Sequence, residues 1–174
     1  MKLQIEKTHP RLHIDPKRLQ NLLDQAIRLV PALGPLPGND VPPDAPLEVT
    51  FLTSTDMAVA HERAMGDPTP TDVLTFDLRV PGDPWIAPTP WAEILIDVDT
   101  AIDYARDYDC SVAEELFRYL VHGLLHLAGY DDQTAHEFKT MKEIQETCLK
   151  ELLAIPGLSE DLSHAIFLSG GSHE

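Results

Sequence analysis

Apolar and polar residues alternate through "KLQIEK" near the start of the chain, a period of two that predicts a strand. The period then changes. Leu19, Leu22, Leu23, Ile27 and Val30 recur at helical spacing, behind Asp15 as N-cap and Pro16 at the first helical position. "LEVTFLT" alternates again and is rich in β-branched residues, so it predicts a second strand. "STDMAVAHERAMG" predicts a short helix closed by Gly66. "DPTPTDVLTFDLRV" reads as a turn feeding a third strand, "WAEILIDV" as a fourth, and "DTAIDYARDYD" as a helix.

Two longer helices follow. "SVAEELFRYLVHGLLHLAG" opens with Ser111 and Glu114 spaced as a capping box, each side chain meeting a free N–H of the first turn. It ends at Gly129, which takes a left-handed C′ conformation without steric cost. "TAHEFKTMKEIQETCLKELLA" opens with Thr134 and Glu137 in the same arrangement. Pro-rich stretches at 31–46 and 81–90 read as loops. The expected order is strand, helix, strand, helix, two strands and three helices. That is an α/β or α+β domain, with a roughly four-stranded mixed sheet and helices packed on it. Residues 1–174 fit a single domain, with a flexible tail expected from about 157, where the apolar pattern weakens.

Composition narrows the class. At 43% hydrophobic residues the chain can bury a core. Its 13 Lys and Arg against 29 Asp and Glu give a net charge of −16, which argues against a plain nucleic-acid coat protein with a basic face. A local basic strip or a metal centre that handles phosphates stays compatible with it. Cys110 and Cys148 form no CxxC pair and are expected to be reduced thiols. "MKLQIEKTHPRLHID" has no apolar core of a signal peptide, and no run reaches membrane-span length. A soluble, cytoplasmic protein with no membrane partner is the expectation.

The candidate chemistry lies in "HGLLHLAGYDD". His122 and His126, at i and i+4, share one helix face roughly 6 Å apart and can offer two imidazole nitrogens to one ion. Burying two unpartnered imidazoles in such an apolar run costs on the order of a kcal/mol each, and a bound ion removes that cost. A reversal at Gly129 can return Asp131 or Asp132 to the helix end as a third ligand. Gly123 stands where an H-E-x-x-H protease has its general base, so a peptidase of that type is disfavoured.

"HGLLHLAGYDD" resembles the H-G-x-L-H-L-x-G-Y-D-H signature of the YbeY endoribonuclease family, and "PTDVLTFDL" resembles its P-T-D-V-L-S-F-P segment. "AEILID" is similar to the G-D-I-x-I strand that follows, and the likeness spans roughly residues 45–153. The resemblance implies a single-strand-specific, metal-dependent endoribonuclease of ribosomal RNA maturation and ribosome quality control. Its partners would be single-stranded or ribosomal RNA and the ribosome or its small subunit. It implies one zinc, or another divalent ion, held by His122, His126 and the residue at 132.

Two positions depart from the family pattern. Asp132 replaces its third histidine, which lowers the charge of the ion with its ligands from +2 toward about +1. Less acidic water and tolerance of harder ions such as Mn²⁺ are expected to follow. His136 is a rival third ligand. Met65 stands where the family has an arginine, and Arg63 is the nearest replacement. An arginine there would stabilise charge on a scissile phosphate. Asp131 is a candidate base, or a carboxylate that orients a ligand histidine. Asp72, Thr71 and Thr75 line the cleft or serve a turn and a strand, and Tyr130 packs at the helix end. Lys17, Arg18 and Arg28 are candidate phosphate contacts for RNA. The acidic charge and Met65 leave two alternatives open: a ribosome-associated factor with a structural metal, or a metal-dependent hydrolase of another substrate.

Overall fold

The structure is a computed structural model that describes residues 1–34, 36, 41, 45–80, 86 and 88–170. Most of the two Pro-rich loops and the last four residues of the expected tail lie outside the described residues.

Four strands form a mixed sheet in the order β1-β3-β5-β4: β1 (Lys2–Lys7), β3 (Pro46–Leu52), β5 (Ala92–Asp97) and β4 (Val73–Asp77). The first three run parallel, and β4 pairs antiparallel to β5. The predicted four-stranded α/β architecture is therefore present. Its alternation sets the layers. Leu47, Val49, Phe51, Ala92, Ile94 and Ile96 enter the main core, whereas Leu52 and Leu95 join Met57 in a smaller cluster on the opposite face.

Helix α1 (Pro16–Leu29) starts as its sequence predicts, with the Asp15 carboxylate accepting the N–H groups of Lys17 and Arg18. Leu19, Leu22, Leu23 and Ala26 form its buried stripe. Helix α2 (Ser54–Met65) ends at Gly66 with φ 76° and supplies Met57 to the smaller cluster. Helix α3 (Val98–Tyr108) is capped by the buried Asp97. Helix α4 (Val112–Leu127) packs against β4, β5, α3 and α5 (Ala135–Leu153). Both predicted capping boxes form, at Ser111 with Glu114 and at Thr134 with Glu137.

The middle of α4 fits because of Gly123. A Cβ there would lie 2.8 Å from Thr75 Oγ1 and 2.9 Å from Ile94 Cδ1, closer than packed atoms tolerate. Thr75 and Ile94 face each other across β4 and β5 and present one shared surface to the helix. Burial of Leu116, Leu120 and Leu124 on α4 contributes about 1.5–3 kcal/mol for each side chain.

The sequence reading differs most at the chain ends. The segment expected as a tail forms α6 (Leu158–Ala165) and β6 (Ile166–Leu168). Strand β6 pairs antiparallel with β2 (Leu12–Ile14), and His13 stacks on Phe167 at 4.9 Å. Leu158, Leu162, Ala165 and Ile166 are buried in the main core. Each element is too short to stand out by periodicity, and it is their mutual pairing that holds them.

Candidate metal centre

Helix α4 ends in a Schellman motif. Gly129, at φ 93°, donates its N–H to His126 O at 2.9 Å, and Tyr130 donates to Leu125 O at 3.0 Å. This turn does two things for the histidines. It sets the Tyr130 carbonyl against His126 Nδ1 at 3.1 Å, and it folds Asp132 back beside the helix, 3.7 Å from His122 Nε2.

The second histidine is held from another element. His122 Nδ1 meets the side-chain oxygen of Gln145, on α5, at 3.1 Å. With each Nδ1 donating to an oxygen, both rings are left with a bare Nε2. Those two Nε2 atoms lie 3.1 Å apart. Burial, and then the neighbouring His126 ring, push the His122 pKa below its ordinary value, against the opposing pull of Gln145, Asp72 and Asp132. The His122 ring is therefore held neutral at neutral pH, and the two Nε2 atoms converge on one point.

The donor set fits a divalent ion. Nitrogens about 2.0–2.1 Å from a tetrahedral zinc stand about 3.3 Å from each other, close to the separation found here. His122, His126 and Asp132 each offer a ligand atom, all within 4.8 Å of one another, and they form the one such group among the described residues. The structure thus brings together the three residues selected from the sequence. His136 is exposed in the first turn of α5 and lies outside the group.

The remaining candidates separate. Asp131 is exposed, and its carboxylate accepts the Asp132 N–H at 2.8 Å, so it holds the loop. The orienting of His122 and His126 falls instead to Gln145 and the Tyr130 carbonyl. Asp72 accepts the Val73 N–H at 2.9 Å, while its charge also reaches His122. The Thr75 hydroxyl is buried without a hydrogen-bond partner. Arg63 is exposed in the last turn of α2. Arg18 is tied to Asp161 at 2.6 Å and, with Arg28, borders a cavity of about 460 Å³ between α1 and α6 that contains none of the metal-site residues.

Sequence reasoning missed two supports. Gln145 is 23 residues from the histidine it holds, so no local motif marks it. Arg79 donates to Leu127 O at 3.0 Å, pairs with Asp77 at 2.6 Å and lies over the Trp91 ring, pinning the end of α4. Nothing in a linear reading separates Arg79 from other surface arginines.

The family described as Endoribonuclease YbeY matches residues 4–153. A protein of that name from Brevibacillus brevis is 31% identical over 161 residues, covering 86% of this chain and 97% of its own length. Another, from Chlamydia trachomatis serovar D, is 36% identical over 107 residues, or 60% of this chain. The chain spans 65% of the length of that relative, just under two thirds. Among solved structures, a Thermotoga maritima protein determined in solution is similar in fold. Its TM-score is 0.55 at 24% identity, covering 87% of this chain and 89% of its own.

Proposed function

Because the chain belongs to the Endoribonuclease YbeY family, we propose that it is a metal-dependent endoribonuclease cutting single-stranded RNA in ribosomal RNA maturation and ribosome quality control. The observation that carries this reading is the convergence of two bare Nε2 atoms at 3.1 Å beside the Asp132 carboxylate. His122, His126 and Asp132 would hold the ion, with zinc favoured by the two imidazoles. When bound, a divalent ion supplies positive charge for a developing phosphoryl oxyanion and acidifies water.

The protein's own groups divide the remaining work. Three ligands rather than four leave a coordination position open, which favours catalysis over a closed structural site. His122 and Asp132 keep 22% and 36% of their side-chain surface exposed, so the open side faces solvent. Asp131, exposed beside Asp132, is the candidate base, and Arg63 the candidate contact to a substrate phosphate. RNA contacts through such cations would weaken as salt rises. The ribosome or its small subunit is the proposed assembly partner, and the cytoplasm the proposed compartment. No helix among the described residues is long and apolar enough to cross a membrane.

Metal content by elemental mass spectrometry, with RNA cleavage on the same samples, tests this reading on wild type, Asp132→Ala and His136→Ala. One ion per chain, lost together with cleavage in Asp132→Ala and retained in His136→Ala, is the expected result. Stoichiometric metal without cleavage in wild type would overturn the nuclease.

A further inference from the structure

His126 is held by a backbone carbonyl, an acceptor that no side-chain substitution removes. His122 is held by an amide, which has an acceptor at one end and a donor at the other. Were the Gln145 amide reversed, its NH₂ would face the ring, and His122 would answer with a bare Nδ1 and a protonated Nε2. That tautomer cannot bind an ion through Nε2. The orientation of one amide therefore decides whether the site exists.

Hydrogen-bond polarity fixes that orientation from outside the site. Gln145 Nε2 lies 3.1 Å from Glu146 Oε1, and the same oxygen accepts from Arg118 Nε at 2.9 Å. A carboxylate has no proton to give, so the amide must turn its NH₂ toward Glu146 and its oxygen toward His122. Arg118 is itself anchored, by the buried Glu115 one turn behind it on α4. The direction of donation runs from Arg118 to Glu146, from Gln145 to Glu146, and from His122 to Gln145.

We propose that Arg118, Glu146 and Gln145 form a positioning chain that sets the His122 tautomer and so prepares Nε2 as a metal ligand. This rests on the metal site proposed above and adds residues that do not touch the ion. Groups that orient ligand histidines typically change metal affinity ten- to hundredfold when removed. Gln145→Met keeps the side-chain length and removes both the acceptor and the donor. Glu146→Gln keeps shape but no longer forbids the amide from turning. The exchange of Gln145→Glu together with Glu146→Gln restores an acceptor at 145 and a donor at 146.

The test uses zinc affinity by chelator competition and the His122 tautomer by ¹⁵N-detected imidazole NMR on metal-free protein. Zinc affinity is expected to fall about ten- to hundredfold in Gln145→Met and less in Glu146→Gln. The exchanged pair is expected to recover most of the loss, which a purely packing role would not produce. Metal-free wild type should show His122 protonated at Nδ1, and Gln145→Met a mixture of tautomers. A wild-type His122 protonated at Nε2, or unchanged affinity in a folded Gln145→Met, would overturn the proposal. Neither readout involves RNA. A protein that binds zinc with this pattern yet cleaves no RNA would sink the nuclease and leave the positioning chain standing.

Discussion

The two ends of α4 handle buried polarity in opposite ways. At the N-terminal end, Glu115 is only 1% exposed, yet it accepts from Arg118 and Tyr119, and Arg118 also reaches Glu146. Burial still pushes the Glu115 carboxyl above its ordinary pKa, with Arg118 pulling it back. Every charge there is answered by the protein. At the C-terminal end Gln145 and the Tyr130 carbonyl answer the ring Nδ1 atoms, and the two Nε2 atoms converge beside Asp132. One end of the helix pairs its charges internally, whereas the other gathers three ligand atoms that could hold an ion.

That contrast breaks most sharply at the histidines. His126→Ala should lower divalent-metal affinity by about a thousandfold, since one of few ligands carries a large share of the binding energy. It should also abolish the rise in melting temperature that added zinc gives wild type, followed by calorimetry with and without metal. If zinc still stabilised that variant, the ion would sit elsewhere.

Next in size is the balanced end. Arg118→Met leaves Glu115 buried without its cation and should destabilise metal-free protein by about 3 kcal/mol in urea unfolding at neutral pH. The effect carries a pH signature. A carboxyl whose folded pKa is raised contributes stability below its unfolded value and loses it as pH rises through the folded value. Removing Arg118 raises Glu115 further, so the deficit should shrink on acidification through that raised pKa and be full at neutral pH. A deficit that grew on acidification would contradict this account of Glu115.

Between the ends lies the pivot. Gly123→Ala should cost about 2 kcal/mol, because its Cβ would press on Thr75 and Ile94. Thr75→Ala in the same chain should recover part of the loss, read as a shift in the urea midpoint. Smallest is the cap. Ser111→Ala should cost about 1 kcal/mol and leave zinc affinity unchanged, because its effect stops at the first turn.

Local chemistry was legible wherever a short stretch states it. Asp15 with Pro16, Ser111 with Glu114 and Thr134 with Glu137 mark helix starts, and all three caps form. H-x₃-H on an apolar helix, followed by Gly129 and the acids, singled out His122 and His126 and left Asp131 or Asp132 as the third, with the family resemblance favouring Asp132. Gln145, Arg79 and the β2–β6 pairing left no such trace. Gln145 reads as one more polar position on α5, and β2 and β6 are three residues each.

The sequence by itself determined helices α1 to α5, the strands of the four-stranded sheet, and which side chains could be metal ligands, because capping and periodicity depend on residues a few positions apart. Only the tertiary structure decided which nitrogen of His122 is free, that Gly123 must stay small, and that the chain's end joins its beginning. Those outcomes depend on groups brought together from distant elements, and the polarity of a hydrogen bond is settled only when both partners are in place.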